Sequence, residues 1–189
     1  ESVELHVQNM RTRMPFRYGI ASLEALPHLF LRVDASINGS REIGLAADGL
    51  PPKWFTKHPD TLFEEDLGEM LAVIRKACEL SLLVDEADSV FDFWHALHRM
   101  QEGWAAATPY PPLLWGFGVS LVERALVDAF CRRAGRPFSA LLSENAFCIR
   151  LGDLHPELEG KIPGDLLPDS PGTRIAARHT VGLTDPLTD

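Results

Sequence analysis

Three cysteines, Cys78, Cys131 and Cys148, are too few, too widely spaced and odd in number for a disulfide framework, so the fold has to close on its own apolar core. The first two fall on apolar helical faces and read as buried thiols, which points to a reducing compartment and a cytoplasmic location. Positive charge is also scarce. Lys and Arg total 18 against 27 Asp and Glu, a formal charge of -9, with no basic run, which excludes a nucleic-acid backbone as partner. No apolar window reaches the length of a membrane span, and the first residues lack the basic-then-apolar order of a signal peptide, so no membrane partner is expected. A G-x-S-x-G elbow and a phosphate loop are both missing. The Gly116-Phe117-Gly118 pair lies inside an apolar helical stretch, which rules it out as a dinucleotide fingerprint, and seven scattered histidines permit no Ser-His-Asp assignment.

What the chain does have is apolar mass, 46% of 189 residues, enough for one sizeable core. Its longest apolar stretch, Leu113 to Pro137, is predicted to be the central helix. Leu114, Phe117, Leu121, Ala125 and the Asp128-Ala129 step follow a 3.6-residue period, and Trp115, Val119, Val122, Leu126 and Phe130 fill the flanks. Pro111-Pro112 open the helix and Gly135 closes it, with Arg132, Arg133 and Arg136 where the negative end of the helix dipole favours cations. Glu123 and Asp128 are expected to bond helix ends and neighbouring arginines, because buried carboxylates need partners.

Ahead of this helix the period is two. Val3, Leu5 and Val7 alternate with Glu4, His6 and Gln8 in a first strand; His28 to Ile37 form a second and Arg41 to Ala47 a third, the last two joined by Asn38-Gly39, a strong hairpin signal. Two connectors are unusual. Residues 13–22 are too apolar and aromatic for an exposed loop, and residues 48–57 place Trp54 and Phe55 among turn formers. Both either lid the domain's own core or face a ligand.

Asp60-Thr61 offers an N-cap to a helix whose stripe is Phe63, Leu67, Met70, Leu71, Ile74, Cys78 and Leu82. Another helix starts near Ser89 on Val90, Phe93, Trp94, Leu97, Met100 and Trp104, and a short one covers Pro137 to Leu142. The fold class is therefore α+β, a three-stranded antiparallel meander followed by a three- to four-helix bundle, occupying residues 1–145. Residues 146–189 read as a Gly- and Pro-rich surface crossing and a final strand over Arg174 to Leu183. Asp92, His95, His98 and Glu102 share one helical face at metal-ligand spacing, but a charged solvent-facing surface is the commoner explanation, and no Cys or third His stands nearby in sequence.

Three segments carry a family resemblance. Glu123-Arg124-Ala125-Leu126-Val127-Asp128-Ala129, with Gly135-Arg136-Pro137 and Leu141-Leu142, resembles the E-x-A-L-x-D-A…G-x-P…LL pattern that ends the capping domain of the enolase superfamily, mandelate racemase and muconate lactonising type. Met14 to Ser22 resembles its P-F-R-x-G-x-A-T/S segment, and His179-Thr180-Val181-Gly182-Leu183 the run on its first barrel strand. The resemblance implies an N-terminal capping domain and the first strand of a TIM-like barrel whose remainder, with its Lys-x-Lys pair and Mg²⁺-binding acids, is not in this sequence. It implies proton abstraction α to a carboxylate by a racemase, dehydratase or cycloisomerase, with Mg²⁺ as cofactor in the full-length enzyme and none bound here, a small carboxylate as substrate, and a possible homo-oligomer. Phe16, Tyr18 and Gly19 would form a first lid loop, Trp54 and Phe55 a second, and His179 and Thr180 would border the substrate; no catalytic residue is expected in the chain. One departure is that Ile43-Gly44-Leu45-Ala46-Ala47 stands where Gly-x-Gly-Glu-Ala is commoner, removing an acidic side chain. The fragment alone is expected to be inactive, the alternative being a non-catalytic binding or scaffolding domain derived from the cap.

Overall fold

A computed structural model describes residues 2–168, 170 and 172–178. Strands β1 (Ser2–Tyr18), β2 (Ala21–Ile37) and β3 (Ser40–Gly49) form one antiparallel sheet in the order β1-β2-β3. Helices α1 (Phe63–Ser81), α2 (Val90–Ala105), α3 (Pro112–Ala134), α4 (Phe138–Ser143) and α5 (Leu151–Leu154) follow, with two 3-10 turns at Pro156–Leu158 and Pro163–Leu166. The α+β class and the meander-then-helices order are as the sequence implies.

The strands are longer than the alternation predicts. β1 and β2 both run out into a hairpin arm that takes in the expected loop of residues 13–22. Ser2 to Arg11 pair in unbroken register with Asp34 to Ala25; Thr12 to Pro15 then stand opposite Glu24 alone, and pairing resumes at Phe16 with Leu23. That irregularity breaks the period of two and disguises strand as loop. At the other end, Asn38 and Gly39 both take left-handed φ, 51° and 72°, as a two-residue hairpin turn requires.

α3 is the centre. It packs on β2 and β3 on one side and on α1 and α2 on the other, so one of its wrappings is a sheet. Two glycines allow the close approach: a Cβ on Gly44 of β3 would stand 1.9 Å from the Ala125 carbonyl oxygen, and one on Gly118 would stand 2.3 Å from that of Val73 in α1. The core between is Leu29, Leu31, Val33, Val73, Ile74, Leu97, Leu114, Leu121, Val122 and their neighbours. Buried Gln101 of α2 ties the three helices together, its amide donating to Val73 O at 2.9 Å and to Trp115 O at 3.4 Å. A smaller cluster of Val90, Leu141 and Phe147, with Phe130 against it, seats α4.

Helix ends follow the sequence with one shift. Ser89 Oγ accepts the Asp92 N–H, and Gly135 closes α3 at φ 63°. α1, however, is capped at Leu62, whose N–H is accepted by the Glu65 carboxylate at 2.6 Å, because Thr61 spends its hydroxyl on Asp66. The strand expected over residues 174–183 is absent from the described part, 174–178, which has no regular structure and leaves Ile175 96% exposed. No strand of the described residues lies alongside to complete a ladder. The rest of that stretch lies outside the described residues. No helix among those described is long and apolar enough to cross a membrane.

Candidate functional site

At the arm tip the chain reverses through Gly19 and Ile20, Gly19 taking φ 51°, and Tyr18 pairs with Ala21. Thr12 Oγ1 stitches the irregular stretch by donating to Leu23 O at 3.1 Å, which ties it to the strand alongside. Phe16 and Tyr18, two apart, share one face with ring centroids 5.9 Å apart.

The second segment, residues 50–62, arrives at the same place by another route. Leu50 is fully buried and its N–H reaches Pro27 O at 2.8 Å. Lys53 then turns through left-handed φ, 56°, and donates its N–H to Asp66 Oδ2 at 3.0 Å. Asp66 is buried in the first turn of α1, where the positive end of the helix dipole favours a carboxylate. It also accepts from Thr61 Oγ1 at 3.0 Å, with Lys53 Nζ at 3.4 Å; that ammonium bonds Thr61 as well. One buried acid thus fixes both ends of the loop.

Between these supports the loop meets the arm. The Tyr18 hydroxyl donates to Pro52 O at 2.8 Å, and its ring stands edge-on to Trp54 at 6.3 Å. Burial, reinforced by the negative charge of Asp66, pushes the Tyr18 phenol above its ordinary value, so it remains a protonated donor at neutral pH. Neighbouring Trp54 and Phe55 part company: Trp54 is 57% exposed, whereas Phe55 turns inward with its ring 4.7 Å from Phe117 of α3. A shallow cavity of about 340 Å³ lies between arm and loop, lined by Ile20, Ala21, Ser22, Glu24, Ala25, Pro52, Lys53 and Phe63.

The structure therefore brings together Phe16, Tyr18, Gly19 and Trp54, and sets Phe55 one layer deeper. His179 and Thr180 lie outside the described residues. Lys53, Asp66 and Thr61 were not singled out from the sequence. A signal existed for Asp66, which sits on the helical stripe of Phe63, Leu67 and Met70 at the spacing of a core residue, where an acid has to be paired.

The helical face of Asp92, His95, His98 and Glu102 is otherwise employed. Asp92 takes Arg150 at 2.8 Å, and Ser89 with Arg150 holds its carboxyl below the usual range. His95 stacks near Phe91 and Trp94, and His98 sits between Trp94 and Trp115 at 5.3 and 5.0 Å. Among the described residues no group of three His, Cys, Asp or Glu could hold a metal ion.

No family model matches the chain, and no curated protein sequence does. The chain is similar to an enolase. That protein, from Bradyrhizobium, was crystallised in complex with magnesium and mandelic acid; the likeness covers 75% of this chain and 33% of the enolase, at 17% identity and a TM-score of 0.48. The chain thus spans about a third of that enolase's length.

Proposed function

We propose that the chain is the substrate-capping portion of a Mg²⁺-dependent enzyme of the enolase superfamily, mandelate racemase and muconate lactonising type, which removes the proton α to a carboxylate and acts as an isomerase or lyase. The observation that carries this reading is the bond from the Tyr18 hydroxyl to Pro52 O. It joins the two segments that the resemblance assigns to the lid, although 34 residues separate them. A lid built of two connected pieces moves or holds still as one body, which suits closure over a small substrate.

Charge supports the substrate class. In a chain of net charge -9, the arm and loop carry Arg11, Arg13, Arg17 and Lys57 against Glu24 and Asp60, with Lys53 already paired to Asp66, a locally positive balance that would draw in a carboxylate. Phe16, Tyr18, Gly19 and Trp54 would shape the apolar part of the lid, and Phe55 would anchor it. Mg²⁺ and the acid-base groups would come from a barrel continuing past Asp189, with His179 and Thr180 at its border, in a cytoplasmic enzyme.

The test uses the natural polypeptide. In D₂O with Mg²⁺, a panel of 2-hydroxy carboxylates is followed by proton NMR, and loss of one substrate's α-proton signal is expected. Tyr18→Phe and Trp54→Ala should each lower kcat/KM about tenfold, roughly 1.4 kcal/mol of transition-state stabilisation. Absence of Mg²⁺-dependent exchange across the panel would refute the proposal.

A further inference from the structure

The two edges of the sheet are not alike. The edge of β3 is closed by α3: Asp128 Oδ2 accepts the Leu45 N–H at 2.9 Å, and Arg124 reaches Ala47 O at 3.3 Å and Asp48 Oδ2 at 2.9 Å. The outer edge of β1 has no strand beside it among the described residues. Its first half, Ser2 to Arg11, is regular strand, and an unpaired strand of that length is a template for another copy. Charge on an edge strand ordinarily discourages such pairing, but here it is sorted by sign. Glu4 lies toward the start of β1, and Arg11, Arg13 and Arg17 lie toward the arm.

Beside the start of β1 is a cavity of about 400 Å³. Ser2 and Val3 form part of its wall, and Asp85, Glu86 and Asp88 of the α1–α2 connection stand at its rim. These three acids are exposed and have no hydrogen bond or ion pair within the described chain.

We propose that β1 pairs antiparallel with β1 of a second copy about a two-fold axis at Val7. Antiparallel pairing on that axis sets Val7, 52% exposed, against its own copy; it sets Leu5 opposite Asn9 and Val3 opposite Arg11. Arg13 of each copy then passes the other's Ser2 and meets the acidic rim of its cleft. Both contacts occur twice, so opposite charges meet at each end of the ladder.

The experiment uses the full chain. Sedimentation should show a concentration-dependent dimer that weakens with salt. Arg11→Glu/Arg13→Glu, and separately Asp85→Lys/Glu86→Lys/Asp88→Lys, should each be folded monomers by circular dichroism, and mixing the two should restore the dimer, because acid arm then meets basic rim and basic arm meets acid rim. Independently, Val7→Cys in a Cys148→Ser background should oxidise to a covalent dimer, since residues directly opposite on the axis have Cα atoms ~5 Å apart. Gln8→Cys in the same background should oxidise far more slowly. A monomeric parent chain, a dimer indifferent to both charge reversals, or equal cross-linking at residues 7 and 8 would overturn the proposal.

Discussion

The Asp128 carboxylate on α3 accepts the backbone N–H of Leu45 in β3 at 2.9 Å, while Arg132 Nε holds the same oxygen at 2.8 Å. Arg124, one turn earlier, takes the Ala47 carbonyl, so residues at i and i+4 close a strand edge with one acceptor and one donor. Ala125 and Ala129 at the neighbouring i and i+4 positions are small where Gly44 approaches. The Arg124-Ala125-…-Asp128-Ala129 motif is thus a docking surface for a strand. Asp128→Ala should destabilise the fold by about 1–2 kcal/mol, the scale of a hydrogen bond to a charged group that is partly exposed. Urea denaturation checks this, and Asp128→Asn should recover part of the loss.

Gly44→Ala should be worse than its size suggests. The added methyl meets backbone, at 1.9 Å from Ala125 O and 2.8 Å from Ala129 N, so strand and helix have to part. A cost at or above the 1–3 kcal/mol usual for overpacking, roughly, is expected in a thermal melt. Gly116→Ala, with open space at its Cβ, should be neutral or mildly stabilising.

Leu121→Ala should cost about 2–5 kcal/mol, since Leu121 is fully buried at the centre of α3. Trp54→Ala, at an exposed position of the 50–62 loop, should cost far less. Equal losses in a denaturation series would make the second loop core.

Glu123, unlike Asp128, has no hydrogen-bond partner within the described chain, and burial pushes its carboxyl above the usual range against the counteracting Arg124. A carboxyl whose folded value is raised is comfortable when protonated, so its contribution falls as pH rises from the unfolded value of about 4.3 through the higher folded one. Glu123→Gln should therefore stabilise the protein at neutral pH, and the gain should vanish at about pH 4 and below. Melting temperatures of both proteins across that range decide it.

Much of the fold was legible because it depends on near neighbours. Ser89 and Gly135 mark helix ends, Asn38-Gly39 marks a turn, and the 3.6-residue stripes mark buried faces. The arm was not, because Thr12 to Pro15 bulge opposite Glu24 and put the alternation out of phase. The site was half legible: Tyr18 and Trp54 stood out as aromatics in connectors, but their meeting depends on Lys53 turning through a left-handed φ and on Asp66 pinning the loop from α1. Those are long-range contacts with no local pattern. That Trp54 faces out and Phe55 in follows from the same turn. Glu123 and Asp128 looked alike in sequence, and only the position of β3 separates them. The strand expected over residues 174–183 needed a neighbour that the described chain does not supply at 174–178.

The proposed function requires this chain to cap a larger catalytic body. The intact mass of the polypeptide isolated from its native source tests it most directly. A chain continuing past Asp189 by about 250 residues, the size of a (β/α)8 barrel, is the expected result. A native product of 21.0 kDa would contradict it.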